Sequence, residues 1–191
     1  MLQHPVTEPS DWTRRWLHLI PPGASVLDVA CGLGRHMQLL TQQGCCCTGI
    51  DHSAEALATA SHYGDTIQAD IEGGPWPLME NDLPRRFDLV LVTNYLWRPL
   101  FPVLLHSLAP GGLLLYETFA QGNETVGKPS RPDFLLQTGE LLQLCRTLRV
   151  VAFEDGFLPD PARFVQRIAA FRPADADEAA GPPARYPLSL K

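Results

Sequence analysis

One stretch constrains this chain more than any other: Ser25-Val26-Leu27-Asp28-Val29-Ala30-Cys31-Gly32-Leu33-Gly34-Arg35-His36, in which the hydrophobic period changes midway. A short apolar run bounded by small residues reads as a buried parallel strand, and the spacing of Met37, Leu39 and Leu40 after it reads as a helix with one apolar face. A strand, a glycine loop and a helix in that order let a ligand come close to the backbone. Gly32 and Gly34 put no Cβ in the way, and the first turn of a helix presents unpaired N–H groups.

Spacing narrows what such a loop can take. A dinucleotide-binding G-x-G-x-x-G would need its third glycine at Met37, and a phosphate-binding loop would end in Gly-Lys-Ser/Thr where this chain has Gly34-Arg35-His36. Asp28 followed by Ala30-Cys31-Gly32-Leu33-Gly34-Arg35 closely resembles the loop of class I S-adenosylmethionine-dependent methyltransferases, with Ala30 where that family more often has glycine. The resemblance implies an α/β fold: a Rossmann-like three-layer α/β/α sandwich on a seven-stranded, mostly parallel sheet with an antiparallel last strand. It also implies S-adenosylmethionine as the methyl donor, S-adenosylhomocysteine as product, and cofactor contacts at Asp28, Ala30, Cys31, Gly32 and Gly34.

The rest of the chain is read against that expectation. Cys46 to Asp51 is a second strand whose terminal Asp51, roughly 20 residues past the glycine loop, is placed to accept from two ribose hydroxyls. Capping the helix that starts near Ser53 is its competing duty. His52 either contacts the ribose or faces solvent. A third strand, Thr66 to Ala69, ends in Asp70-Ile71, where the resemblance implies recognition of adenine by the Asp70 carboxylate and the Ile71 backbone N–H.

Phe87 to Val92 is the clearest buried strand, and Asn94, Tyr95 and Arg98 follow its carboxyl end, where open α/β sheets bind ligands. Asn94 is expected at the cofactor and Tyr95 in the methyl-transfer channel, while Arg98 either clamps an anionic substrate or pairs with a carboxylate. This segment lacks the Asn-Pro-Pro-Tyr signature of amino-group methyltransferases acting on DNA or protein amides. Ala109-Pro110-Gly111-Gly112 leads into a fifth strand with Glu117 at its end, and the long loop from Ala120 to Pro132 reads as a lid carrying Lys128 and Arg131 or as a plain surface excursion. A helix over 134–146, two strands over 148–153 and 164–171 and the hairpin between them look like the tail of the tellurite-resistance methyltransferase subfamily.

Composition sets outer limits. The 191 residues suit one domain over 9–171, with 1–8 as an arm and the Pro-, Ala- and acid-rich 172–191 as a disordered tail. A net charge of −6 gives no global case for a nucleic-acid partner, although a local basic patch stays open. No signal peptide or bilayer-length apolar run is evident, so no membrane partner is expected and the chain reads as cytoplasmic, a monomer or a homodimer. The five cysteines, three contiguous at Cys45-Cys46-Cys47, form neither a disulfide framework nor a metal-ligand spacing and read as small buried hydrophobes.

Methyl transfer from a sulfonium is an in-line displacement that gains most from positioning and water exclusion. If the acceptor must lose a proton, Glu117, Tyr95 and His36 are the candidate bases. If it is an anion or soft nucleophile, Arg98, Lys128 and Arg131 form a cationic collar around it. The leading expectation is a small-molecule acceptor. An RNA or protein methyltransferase and a non-catalytic cofactor-binding regulator are the alternatives. Trp12 and Trp16, on an expected leading helix, either close over the cofactor or pack against the sheet.

Overall fold

The central strands of the sheet, over Ser25–Val29, Phe87–Thr93 and 113–119, bury both alternating sets of their residues, so both faces must be covered. The computed structural model, which describes residues 8–174 and 185–188, covers both. Strands β1 (Ser25–Val29), β2 (Cys46–Asp51), β3 (Asp65–Gln68), β6 (Phe87–Thr93), β7 (Leu108–Phe119), β8 (Arg149–Pro159) and β9 (Ala162–Phe171) form one sheet in the order β3-β2-β1-β6-β7-β9-β8. The five strands from β3 to β7 run parallel, and β9 lies antiparallel to both β7 and β8. A small separate hairpin, β4 (Met79–Glu80) with β5 (Leu83–Pro84), interrupts the connection into β6.

The alternation is legible residue by residue. Leu27, Val90, Val92, Leu114 and Tyr116 belong to one core, with Phe101 and Leu104 of helix α4 (Phe101–His106) and Leu141 of α5 (Glu140–Leu144). Val26, Leu89, Leu91, Leu113 and Leu115 point into the other, against Met37 and Leu40 of α2 (Arg35–Gln42), Leu57 and Ala60 of α3 (Ala54–Ala60), and both tryptophans of α1 (Asp11–Trp16). Trp12 and Trp16 are fully buried, edge to face at 5.5 Å, and the Trp12 indole donates to the Ile168 carbonyl, so they pack on the sheet and do not close over a ligand. Cys45 and Cys47 are buried as expected, whereas Cys46, at the start of β2, is exposed.

Caps explain the helix starts. Ser10 accepts from Trp12 N–H at α1, and Ser53 accepts from Ala56 N–H at α3, which leaves Asp51 free of that duty. The expected helix over 134–146 is shorter. Pro132–Phe134 forms a single 3-10 turn, Leu136 bridges to Ala120, and α5 begins only after Gly139 at φ 70°. Strands β8 and β9 reach further than expected, to Pro159 and Ala162. Within the tail expected to be disordered, residues 185–188 have a defined place: Tyr186 stacks on Phe171 at 3.9 Å, and the Pro187 carbonyl lies 2.9 Å from His18 Nε2. The rest of the tail and the arm before residue 8 lie outside the described residues. Among these, no helix is long and apolar enough to cross a membrane.

One buried acid stands in the middle of this framework. Asp28 on β1 is 1% exposed, with Oδ2 unpartnered and 3.9 Å from His36 Nδ1, too long for a hydrogen bond. Burial pushes its carboxyl up to about 7 although Arg35 pulls the other way, and burial pushes His36 down to about 3, leaving that ring neutral. The unfolded carboxyl titrates near 3.8, so this group favours the folded state fully below that pH and the contribution is lost as pH rises to about 7. Asp28→Asn therefore gains stability over wild type between pH 4 and 8 by roughly a few kcal/mol, measured as urea midpoints across that range; parallel pH curves for the two proteins would refute the buried-acid account.

Gly64, between α3 and β3, has φ 153°, and a Cβ there would run into the Cys47 carbonyl oxygen. Gly64→Ala should lower the unfolding free energy by about 1–3 kcal/mol. Gly156→Ala, where a Cβ meets nothing within 4 Å, is neutral or stabilising by up to about 1 kcal/mol; equal effects of the two in chemical denaturation would rule out the strain at Gly64.

Candidate functional site

The loop after β1 holds three left-handed residues in five: Ala30 (φ 55°), Gly32 (φ 55°) and Gly34 (φ 78°). For Ala30 this conformation costs about 1–2 kcal/mol, so something must hold the loop in it. Cys31 N–H donates to the Ile50 carbonyl at 3.0 Å, and Gly32 N–H donates to Asp51 Oδ2 at 2.8 Å. The two glycines do different work. A Cβ on Gly34 would sit 2.9 Å from Ala60 Cα, so that glycine lets α2 and α3 touch; a Cβ on Gly32 would meet nothing within 4 Å, because empty space lies beside it.

That space is a trough across the carboxyl ends of β1, β2, β3 and β6, at the point where strand order reverses. One part, about 440 Å³, is lined by Ala30, Asp51, His52, Asp70, Ile71, Glu72 and Tyr95. Another, about 490 Å³, is lined by Ala30, Cys31, Gly32, Leu33, Arg35, Thr93, Asn94 and Tyr95 among others. Asp51 is 8% exposed and accepts from Gly32 N–H on one oxygen and from Ser53 N–H, at 2.9 Å, on the other. A carboxylate offers about four acceptor positions, so two remain for a ligand's hydroxyls. Asp70 Oδ1 accepts from Glu72 and Gly73 N–H, which holds its carboxyl below the usual range; its other oxygen and the Ile71 N–H have no hydrogen-bond partner among the described residues. The side chain of His52 is 85% exposed, 3.3 Å from Asp51. Cys31 lines the trough as a thiol that burial pushes far up, so it is inert.

At Asn94 and Tyr95 the trough meets a larger cavity of about 810 Å³. Asn94 holds φ 55°, tolerable for asparagine, with its N–H bonded to the Glu117 carbonyl at 2.8 Å. The Tyr95 hydroxyl is buried without a hydrogen-bond partner, and burial beside Glu72 pushes the phenol far up, so it is a proton donor and not a base. The cavity walls come from β7, the loop 120–137 and the β8–β9 hairpin. Asn123 fastens these together: its Nδ2 donates to the Pro129 carbonyl at 2.9 Å, and its Oδ1 accepts from Phe164 N–H at 3.2 Å.

Several expected residues lie elsewhere. Asp28 is beneath the loop and lines neither space, and Gly34 packs on α3. Arg98 is no substrate clamp: it holds Glu140 with a two-pronged bond at 2.6 and 2.9 Å and donates to the carbonyls of Asp133 and Leu135, fastening α5 to the sheet. Arg131 pairs with Asp133 at 2.8 Å and stacks over Phe134 outside the cavity. Glu117 is 3% exposed on the opposite side of β7 from Tyr116, and it accepts from Ser10 Oγ at 3.1 Å and Arg167 at 3.4 Å, so it cannot serve as a base. His36, whose Nε2 accepts from Ser10 N–H, is equally removed. Of the expected collar, Lys128 alone lines the cavity. The sequence reading passed over Arg163, Asn123 and Glu72. Arg163 and Arg167, four residues apart and so on one face of a mostly apolar strand, are the available signal for the first; nothing local marks Asn123.

Comparison with known proteins fits this geometry. Residues 26–112 match the model of a methyltransferase domain. The tRNA U34 carboxymethyltransferase of Vibrio vulnificus is 32% identical over 165 residues, covering 76% of this chain; the chain spans about half the length of that relative. In fold it is similar to TehB from Haemophilus influenzae, with 18% identity, a TM-score of 0.66 and coverage of 81% of this chain and 59% of that one. It is likewise similar to an S-adenosylmethionine-dependent methyltransferase from Methanosarcina mazei, with 14% identity, a TM-score of 0.66 and coverage of 88% and 100%. Residues 26–112 thus form a methyltransferase domain, and the strand order gives the chain the fold of the class I S-adenosylmethionine-dependent methyltransferases.

Proposed function

We propose that the chain binds S-adenosylmethionine along the trough and transfers its methyl group to a small molecule held in the 810 Å³ cavity. One observation carries the reading: the trough and the cavity share Glu72, Asn94 and Tyr95, so two ligands placed in them would meet at those three residues. The residues fit the cofactor's parts. Open space beside Gly32 suits the aminoacyl end, the two remaining acceptor positions of Asp51 suit a ribose diol, and the free oxygen of Asp70 with the Ile71 N–H suits the edge of an adenine. When bound, the cofactor supplies an electrophilic methyl on a sulfonium.

The chain's own part is positioning. Tyr95 stays protonated and donates, the apolar walls at Leu96, Phe119 and Phe134 exclude water, and no carboxylate or imidazole placed as a base faces the junction except the exposed Glu72. That arrangement suits an acceptor that arrives deprotonated or loses its proton to solvent. A second reading, transfer to a nucleotide of RNA, is favoured by the activity for which the Vibrio relative is named.

Two experiments bear on this. Calorimetry with S-adenosylhomocysteine should show affinity falling about 10–100-fold in Asp51→Ala, as expected for losing hydrogen bonds to a charged group; unchanged affinity defeats the ribose assignment. Pure protein incubated with methyl-labelled cofactor and size-separated cell extract should label the small-molecule fraction. Label confined to RNA would establish the second reading instead, and binding without transfer in any fraction would indicate a regulator.

A further inference from the structure

The geometry points to an anionic acceptor: a small molecule with an apolar body and one carboxylate or phosphate, anchored in the larger cavity by Arg163. The inference rests on reading that cavity as the acceptor site, and it replaces the collar expected from the sequence with a different residue.

Arg163 is the second residue of β9, its side chain is 20% exposed, and it lines the cavity. Its Nε is buried with no hydrogen-bond partner. The carboxylate nearest to it, Glu117, is 3.9 Å from Nη2, beyond hydrogen-bond reach, and is already engaged by Ser10 and Arg167. Other arginines in the fold are satisfied by comparison: Arg98 is held by Glu140 and two carbonyls, and Arg167 by Glu154 at 2.6 Å. Buried guanidinium groups are ordinarily hydrogen-bonded, and their planar fork matches a carboxylate or phosphate. The enclosed Nε cannot reach the empty volume, but the Nη atoms of the partly exposed side chain form no hydrogen bond among the described residues either, and the cavity is where their donor capacity can be used.

The surroundings select the rest of the ligand. Lys128, at the exposed side of the cavity, forms no ion pair among the described residues and adds a second positive charge. Arg163 and Lys128 line this cavity and neither part of the trough. The one acid among the described residues of its lining, Glu72, also lines the trough and so stands at the junction. Leu96, Phe119, Val126 and Phe134 make the remaining wall apolar, and about 810 Å³ is room for a molecule of modest size.

The test is calorimetric titration of the whole chain, with and without saturating S-adenosylhomocysteine, using benzoate, phenyl phosphate and the neutral isostere benzamide as probes. At least one anion should bind tenfold or more tightly than benzamide, and whichever binds better tells carboxylate from phosphate. Arg163→Gln should lose about 10–100-fold in anion affinity, Arg163→Lys should retain part of it, and the surface variant Arg131→Gln should behave as wild type. S-adenosylhomocysteine affinity should stay within about twofold throughout. Equal binding of benzamide and the anions, or an anion affinity indifferent to Arg163→Gln, overturns the inference; so does displacement of the anions by an RNA oligonucleotide that binds more tightly through the same residue. If Arg163→Gln does not fold, the lysine variant carries the comparison. Failure of S-adenosylhomocysteine to bind while the anions bind through Arg163 would sink the cofactor reading and leave this one standing; the reverse result does the opposite.

Discussion

The site depends on one carboxylate. Asp51 ends β2 and reaches across to Gly32 N–H, so the loop that must bend three times into the left-handed region is tied to a strand rather than left to its own preferences. The same carboxylate accepts from Ser53 N–H at the entry to α3, and α3 in turn presses Ala60 against Gly34. Loop, strand end and helix therefore share a single fastening point. Because it is nearly buried, its hydrogen bonds are little weakened by competing water. A group that fixes the shape of the trough is also a group that faces it, which makes structural and binding duties at this position inseparable.

A second polar system lies on the other side of the sheet end. Ser10, Glu117, Arg167 and Glu154 form a chain of charge-assisted contacts that fixes the N-terminal helix against β7 and β9, with Trp12 held between Arg167 and Arg15. Glu117 is consumed by this network. A carboxylate at the end of a central strand on the ligand side of an α/β sheet is a natural candidate for chemistry. Here strand alternation turns it to the face where α1 packs, and it is Thr118 and Phe119, after it, that reach the cavity.

These cases show what was legible in the sequence. The order and direction of the strands, the glycine loop and the carboxylates at Asp51 and Asp70 follow from local pattern, because each belongs to a short segment whose geometry is set by neighbours along the chain. Arg98, Arg131 and Glu117 do not. Each is a charged residue near a strand end or loop whose partner, Glu140, Asp133 or Arg167, is chosen by tertiary packing. Arg163 was missed for the converse reason: its significance is a partner it lacks, and a missing partner has no local signature.

The cavity wall has a consequence for how such a chain can change. Every residue lining the trough falls between Ala30 and Tyr95, inside the span matched to the methyltransferase domain, whereas most of the larger cavity is built from residues 118–163, beyond it. Asn123 clips the loop to the hairpin, so those two segments behave as one unit seated on the edge of a constant floor. Substitutions there can reshape the larger cavity while leaving the trough untouched. Selection can thus act on the shapes of the two spaces as nearly independent traits.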